Sequence, residues 1–393
     1  MKIAVISKYG LSPSSGQNNR IFEICQSFLK ISDAYNLTLI TSISCGYKYD
    51  LSDYDSKFYY YESNKGEIKH ILLKGPIISL GFNFKRIFSW IVFEFFLFFY
   101  LINKKFSILW ISSLSLLTIL NGIFFKKIFK SKLIFEIRDI WPQSIIEITG
   151  KKSVFTFLLS KIELFGYHNS DFIVSPLINL SEYLEKINPK FKSKFNYIAQ
   201  DISNSYEFPR PISNSDKLGI CYAGSFGKAN SIEEFLKLIN SKIIDKKIVF
   251  YFIGKGLDFY RLKSIYSNTQ FIFKEYMPPK DLQLFLKNNC NIGIQFIPNR
   301  PIYHYGISPN KWNTYHKSGL AIFTFSFIKN NLLDLYNAGI NFEFNEQGVN
   351  KFVKKINDND LDINKYHSNF YILSKEKFSL QKDLIKLNKL LLR

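Results

Sequence analysis

The sequence predicts an α/β protein of two domains, each built on a parallel sheet, and three observations lead there. Apolar strand-like runs alternate with amphipathic stretches along the whole chain, the layering of parallel sheets covered by helices. The 393 residues suffice for two full cores. A polar, proline-bearing stretch, Asp201–Ser215 (DISNSYEFPRPISNS), separates the two series and reads as a linker. The domains are therefore expected over residues 1–200 and 216–365, joined by 201–215. A C-terminal helical segment, 366–393, is free to pack back on the first domain.

In the first half, strands are expected at Lys2–Ser7, Asn36–Ser42, Lys69–Leu73, Phe106–Ile111, Lys132–Ile137, Asp171–Val174 and Phe195–Ala199. The helix after the first strand sets Ile21, Ile24, Cys25, Phe28 and Leu29 on one face, the 3.6-residue period. In the second half, strands are expected at Lys217–Tyr222, Lys247–Phe252, Gln270–Phe273, Asn291–Gln295 and Leu320–Thr324. Ser374–Arg393 closes the chain as a basic amphipathic helix with Leu380, Leu384, Leu387, Leu390 and Leu391. Ile87–Ile102 (IFSWIVFEFFLFFYLI) stands apart because it is nearly all apolar. It is shorter than the ~20 residues of a membrane span and is interrupted by Glu94. It reads as a core helix covering a sheet, or as a helix lying in a bilayer interface between Lys85, Arg86, Lys104 and Lys105.

A hydrophobic share of 47% is that of a folded globular chain. The formal charge of +20 favours anionic partners, namely phosphate-bearing substrates, anionic lipid or nucleic acid. Part of that excess reflects the Lys/Asn/Ile/Phe-heavy usage of a low-GC genome. No aromatic-basic RNP-like or helix-turn-helix signature supports nucleic acid. SKYGLSPSSG stands where a dinucleotide oxidoreductase would carry G-x-G-x-x-G. Cys25, Cys45, Cys221 and Cys290 are scattered in apolar surroundings and are expected to be reduced, as in a cytosolic protein. Met1 leads directly into a strand, so no signal peptide is expected.

Two loops carry the chemistry. In Tyr305–Gly319 (YGISPNKWNTYHKSG), Ser308 is suited to cap a helix and Pro309 to open it. Asn310 and Lys311 then fall on the first turn, where free N–H groups, the dipole and an ammonium converge on an anion, most naturally a phosphate. In Phe135–Ser144 (FEIRDIWPQS), an apolar strand ends in Arg138, Asp139 and Trp141. Loops of this kind in separate halves suggest a ligand held between two domains. The Asp-x-Asp strings at Asp53–Asp55 and Asp358–Asp362 sit in polar contexts and read as solvated acids, and the histidines lack ligand spacing.

With these segments in view the chain resembles the two-domain GT-B glycosyltransferases, within the large retaining family that includes bacterial O-antigen, capsule and exopolysaccharide enzymes. It is most similar to the N-acetylfucosamine-transferase-like subgroup. The carrying segments are IRDIWPQS (Ile137–Ser144), YAGSFGKAN (Tyr222–Asn230), FIGKG (Phe252–Gly256) and GISPNKWNTYHKSGLA (Gly306–Ala321), in order from residue 1 to about residue 325. The resemblance implies two Rossmann-like domains with parallel sheets facing across a cleft. It implies a nucleotide-sugar donor, UDP-linked in the first instance, and an undecaprenyl-diphosphate-linked sugar acceptor. It places the enzyme peripherally on the cytoplasmic face of the inner membrane, with neither metal nor other cofactor and no nucleic-acid partner. Donor binding is implied for Gly16, Gly224, Ser225, Lys228, Met277, Ser308, Asn310, Lys311 and Thr314. Acceptor binding is implied for Asn19, Arg20 and Trp141, and catalysis for Asp139 with Arg138.

The departures matter as much. Many family members follow the first glycine of the second-domain loop with an arginine that grips the diphosphate, and this chain has Ser225 there. Two glutamates eight positions apart in the broad family fall on Gly306 and Thr314, and a threonine holds a ribose diol less well than a carboxylate. Bland alternatives stand beside several assignments. The Gly224–Lys228 loop also reads as an ordinary strand–helix turn, Arg20 as an exposed residue at a helix start, and Arg138 as a partner of Glu136 or Asp139. Two other functions stay open: a catalytically weakened sugar-nucleotide-binding subunit, and a non-transferring enzyme such as a sugar-nucleotide epimerase.

Overall fold

The computed structural model describes residues 1–10, 20–43, 51–76, 84–113, 115–202, 217–227, 230–242, 244–307, 310–329 and 331–392. The chain forms two compact units. One comprises Met1–Gln200 with Tyr305–Ser308 and Leu380–Arg393, the other Asp201–His304 with Pro309–Ser379. The boundaries therefore differ from two consecutive blocks of sequence.

In the N-terminal unit, β1 (Lys2–Ile6), β2 (Asn36–Ser42), β3 (Asp55–Ser56), β4 (Tyr60–Lys65), β5 (Ile68–Leu73), β6 (Ile108–Ser112), β7 (Lys132–Glu136), β8 (Phe172–Ser175) and β9 (Phe195–Tyr197) form one sheet. The order is β3-β4-β5-β2-β1-β6-β7-β8-β9. All pairings are parallel except those of β4, which runs antiparallel to β3 and β5. That edge hairpin is missing from the sequence reading because YYESNK is too polar to stand out as a strand. Alternate strand residues feed two cores. On one face Ile3, Val5, Trp110 and Ile134 meet α1 (Arg20–Leu29). On the other, Ala4, Ile6, Leu109 and Phe135 meet α2 (Phe84–Ile102), α3 (Thr118–Phe129) and α5 (Val154–Asn169). The short α4 (Gln143–Thr149) precedes α5, and α6 (Leu180–Ile187) and α7 (Pro189–Lys192) complete the unit before β9.

The apolar helix α2 covers the sheet with one side and leaves the other exposed. Trp90, Phe93, Leu97 and Tyr100 are buried against the sheet, while Phe88, Ile91, Phe95, Phe99 and Ile102 are exposed along the opposite stripe. Glu94, the residue that interrupts the run, points inward. It accepts hydrogen bonds from Thr118 Oγ1 (2.6 Å), Asn121 Nδ2 (2.9 Å) and Ser115 Oγ (3.2 Å), and its burial pushes the carboxyl up to about 7. No described helix is long and apolar enough to cross a membrane.

In the C-terminal unit, β10 (Leu218–Ser225), β11 (Ile248–Lys255), β12 (Phe271–Glu275), β13 (Ile292–Phe296), β14 (Ala321–Phe325) and β15 (Gly339–Phe342) form a parallel sheet ordered β12-β11-β10-β13-β14-β15. The connecting helices are α8 (Ile232–Ile239), α9 (Phe259–Tyr266), α10 (Pro279–Asn289), α11 (Asn310–Lys317), α12 (Leu332–Leu335), α13 (Glu346–Asn357) and α14 (Ile363–Lys377). Its core is rich in phenylalanine, with Phe235 stacked on Phe296 at 4.4 Å. β15 lies beyond the last strand expected from sequence, its GINF being too short to show a period.

The single terminal helix expected over Ser374–Arg393 is two helices. α14 ends at Phe378, which is buried and packs edge-on against Trp312 (6.0 Å). A second helix, α15 (Leu380–Leu391), then lays Leu380, Leu384, Leu387 and Leu391 into the core beside α1. Cys25, Cys221 and Cys290 are buried free thiols, and Cys45 lies outside the described residues.

Candidate functional site

In the C-terminal sheet the strand order reverses between β10 and β13, and in such sheets ligands sit outside the carboxyl ends of the strands at that point. The end of β10 supplies Gly224 and Ser225, and the connection after β13 leads to α11. Tyr315 fixes α11 there: its hydroxyl donates to the Ile294 carbonyl (2.9 Å) and accepts from the Ala223 N–H (3.1 Å), tying both strands. The ring lies on Gly293, where a Cβ would fall 2.3 Å from it, so only glycine lets the helix approach.

Lys311 sits one helical turn before Tyr315 and shares its face. A Cβ on Gly224 would lie 2.9 Å from Lys311 Cε, so the side chain runs directly over the loop. Its Nζ donates to Asn230 Oδ1 (3.2 Å) and stands 5.4 Å from the centre of the Tyr222 ring. Desolvation brings the ammonium down to about 8. Asn230 in turn donates to Ser225 Oγ (3.1 Å), and Tyr222 OH donates to the Ser225 carbonyl (2.9 Å). Ser225 pairs in register with Lys255 of β11, whose Nζ lies 4.4 Å from the centre of the Tyr276 ring. The rim thus carries ammonium groups at its edge and no described carboxylate bonded to Lys311.

In the N-terminal sheet the order reverses between β1 and β6. Beyond β1, Lys8 is fully buried and donates to Ser89 Oγ (2.7 Å). Tyr9 OH accepts from Trp90 Nε1 (2.6 Å) and Arg86 Nε (3.3 Å). Trp90 meets Trp141 edge-on at 5.9 Å and stacks on Phe155 at 6.4 Å. Past β7, the Arg138 N–H donates to Ser113 Oγ (3.1 Å), and Arg138 Nε is buried with no hydrogen-bond partner among the described residues. Asp139 is exposed at its surface yet flanked closely enough by protein that desolvation raises its carboxyl, with Arg138 opposing the shift. The Trp141–Pro142 peptide is cis.

Arg20 is corrected by this geometry. It neither faces a ligand nor lies exposed, being 1% accessible. Nε donates to Glu136 Oε1 (2.7 Å), and the remaining nitrogens donate to the carbonyls of Ile198 (2.8 Å) and Ala199. Burial alone would raise Glu136, but Arg20 and Arg138 outweigh it and hold the carboxyl below its ordinary range. All three guanidinium nitrogens are engaged by protein groups and the side chain is sealed from solvent, so it is not presented to an acceptor phosphate. The Arg138 guanidinium lies close enough to Glu136 and Asp139 for its charge to bear on both carboxyls, as a structural partner would.

No family model matches the chain, and no curated protein resembles it in sequence. Solved structures do resemble it over nearly its full length. Sucrose-phosphate synthase from Thermosynechococcus elongatus has a TM-score of 0.67 at 10% identity, covering 99% of this chain and 98% of that one. Anabaena HepE in complex with UDP has a TM-score of 0.61 at 9% identity, covering 100% and 99%. The lipopolysaccharide outer core galactosyltransferase WaaB in its apo form has 0.57 at 14% identity, covering 95% and 100%. This chain has the GT-B fold.

Within the GT-B chain, the residues singled out from sequence distribute as follows. Gly224, Ser225 and Lys311 meet at the C-terminal sheet's reversal point, with Asn310 exposed and Thr314 half-buried on the same helix. Met277 is half-buried after β12, beside Tyr276 and two strands from that point. Arg138, Asp139 and Trp141 share the loop after β7. Gly16, Asn19, Lys228 and Ser308 lie outside the described residues. Gly306 has φ +114°, and a Cβ there would meet the Ile178 nitrogen at 2.8 Å, so the glutamate of the broad family has no room in this backbone. Tyr315 and Asn230 went unassigned although both stand inside quoted segments; Tyr315's place four residues after Lys311 was the available signal. Tyr9 and Trp90 gave none, being 81 residues apart.

Proposed function

We propose that the chain is a retaining glycosyltransferase that moves a sugar from a nucleotide-sugar donor to a lipid-diphosphate-linked acceptor in surface-polysaccharide synthesis. The observation that carries the reading is Lys311, held by Tyr315 over the Gly224–Ser225 loop at the reversal point of the C-terminal sheet. Solved neighbours support the donor class: HepE is recorded with UDP and with UDP-glucose, and an alpha-glucosyltransferase with UDP. The resemblance of the SPNK and RDIWP segments supports an N-acetylaminosugar, a polyprenyl-linked acceptor and work at the cytoplasmic face of the membrane.

In this reading the donor's anomeric C–O bond to the diphosphate breaks, and a new C–O bond forms to the acceptor oxygen on the same face. The acceptor proton passes to the departing diphosphate oxygen. The Lys311 ammonium and the first-turn N–H groups of α11 stabilise the charge that develops on that leaving group. By the resemblance of the RDIWP segment, Asp139 supports the oxocarbenium-like sugar and Arg138 acts beside it. No step requires a metal ion, because the lysine and helix start neutralise the diphosphate.

Thermal-shift titration with UDP, GDP, ADP and their sugars tests the donor assignment. A rise in melting temperature with UDP compounds, and not with the others, is the expected result; no shift with any nucleotide overturns it. Ser225 is tied up by Asn230 and Tyr222, and Thr314 replaces an acidic residue; these support the second reading, a weakened binding subunit. Thr314→Glu separates the two. A gain in UDP affinity marks a decayed site, and a loss marks a specialised one.

A further inference from the structure

We propose that the outer surface of α2, α3 and α5 in the N-terminal unit, with the β3–β4 hairpin tip, docks on an anionic lipid bilayer. The three helices form one layer on one face of the sheet, so their outward stripes adjoin. Phe98 of α2 contacts Phe124 of α3 at 5.4 Å, which fixes that adjacency. Beyond the exposed stripe of α2, the layer exposes Leu120, Phe124 and Ile128 of α3 and Phe157, Leu158 and Phe165 of α5. Each set recurs at helical spacing, so the exposure belongs to faces rather than to scattered residues. Phe58, at the hairpin tip, is 95% exposed, and its neighbour Tyr59 stacks on Phe96 at 5.6 Å, which brings the tip alongside α2. Large contiguous apolar surfaces of this kind mark partner or membrane sites.

Charge selects the occupant. Among α2, α3 and α5 the acidic residues are Glu94 and Glu163, and both turn inward. Glu94 is held by Thr118 and Asn121 of α3 and by Ser115 just before that helix, and Glu163 accepts from Tyr167 OH (2.6 Å). The outer rim is basic, with Lys85, Lys104, Lys105, Lys151, Lys152 and Lys161 all exposed. Lys161 lies 5.2 Å from the centre of the Phe157 ring, an amphipathic side chain at the boundary of the apolar face. An apolar helical face ringed by lysines, with both of its glutamates turned inward, matches the acyl–headgroup boundary of an anionic bilayer. The hairpin's acids, Asp55 and Glu62, sit on its strands, and Glu62 is paired with Lys57 and Lys69. A second copy of this chain is a poor occupant, since a symmetric contact would press one lysine rim against the other.

This inference rests on the membrane part of the reading above and is independent of the sugar transfer. The test is co-sedimentation with vesicles of phosphatidylcholine alone, or with roughly one-third phosphatidylglycerol, at low and high salt. Wild type is expected to bind the anionic vesicles, and less so at high salt. Phe95→Ser/Phe99→Ser/Phe157→Ser and, separately, Lys104→Glu/Lys105→Glu are each expected to weaken binding about tenfold. All five positions are exposed, so the melting temperature and its response to UDP should stay at wild-type values. Wild type staying in the supernatant, variants binding as well as wild type, or a dimer that the phenylalanine variant dissolves would each overturn the proposal. Vesicle binding without any nucleotide response would sink the transferase reading alone.

Discussion

Arg20 opens the first helix of the N-terminal unit, and Lys311 lies in the first turn of α11 in the C-terminal unit. Each belongs to the element that follows a strand at the reversal point of its own sheet, where an anionic ligand is expected. Their surroundings differ completely. Arg20 is sealed under the sheet edge with Glu136 and the carbonyls of Ile198 and Ala199. Among the described residues, Lys311 meets the amide oxygen of Asn230 and the face of Tyr222, and its desolvated ammonium is destabilised. A cation whose counter-charge is already supplied is a structural residue. One that is held in place by neutral groups is ready for an anion.

The largest expected effect lies on the structural side. Arg20→Met should destabilise the fold by about 3–5 kcal/mol, because it strands the buried Glu136 carboxylate. Urea unfolding reads this, and Arg20→Met/Glu136→Leu should recover much of the loss since no lone charge remains. A mild effect of Arg20→Met on stability, with a large one on acceptor use, would reverse the assignment made from burial. Next comes Tyr315→Phe. It removes an acceptor for the Ala223 N–H and a donor for the Ile294 carbonyl, at a cost of about 1–3 kcal/mol. Nucleotide affinity should fall with it, because α11 loses its fixed position over Gly224. Unchanged affinity in that variant would show that Lys311 reaches the site without the tyrosine brace.

The contrast also marks what a sequence discloses. The anion site proposed at the start of α11 can be argued from sequence because Ser308, Pro309, Asn310 and Lys311 are consecutive and each is expected to contribute a local physical effect. The twelve strands expected from sequence all recur, Asn36–Ser42 with both ends unchanged and the others with ends shifted by at most three residues. Arg20 could not be placed, because its partner Glu136 is 116 residues away and the two carbonyls are 178 and 179 away. The Tyr9–Trp90–Trp141 group is assembled from three elements in the same manner. The exposure of α2 was open because IFSWIVFEFFLFFYLI is apolar around its whole circumference, so periodicity could not say which face meets water. Only the inward turn of Glu94 settles it.

Most direct for the central claim is UDP affinity of wild type and Lys311→Met, titrated calorimetrically from pH 7 to pH 9. The free ammonium titrates at about 8, and a bound diphosphate favours its charged form, so affinity is full below that value and lost as the pH rises above it. Wild-type affinity should drop about tenfold across this range. Lys311→Met should bind about 10- to 100-fold more weakly at pH 7, the loss of one charge-assisted hydrogen bond, with a nearly flat profile. A variant that binds UDP as tightly as wild type, with the same pH dependence, would contradict the assignment of Lys311 to the donor diphosphate.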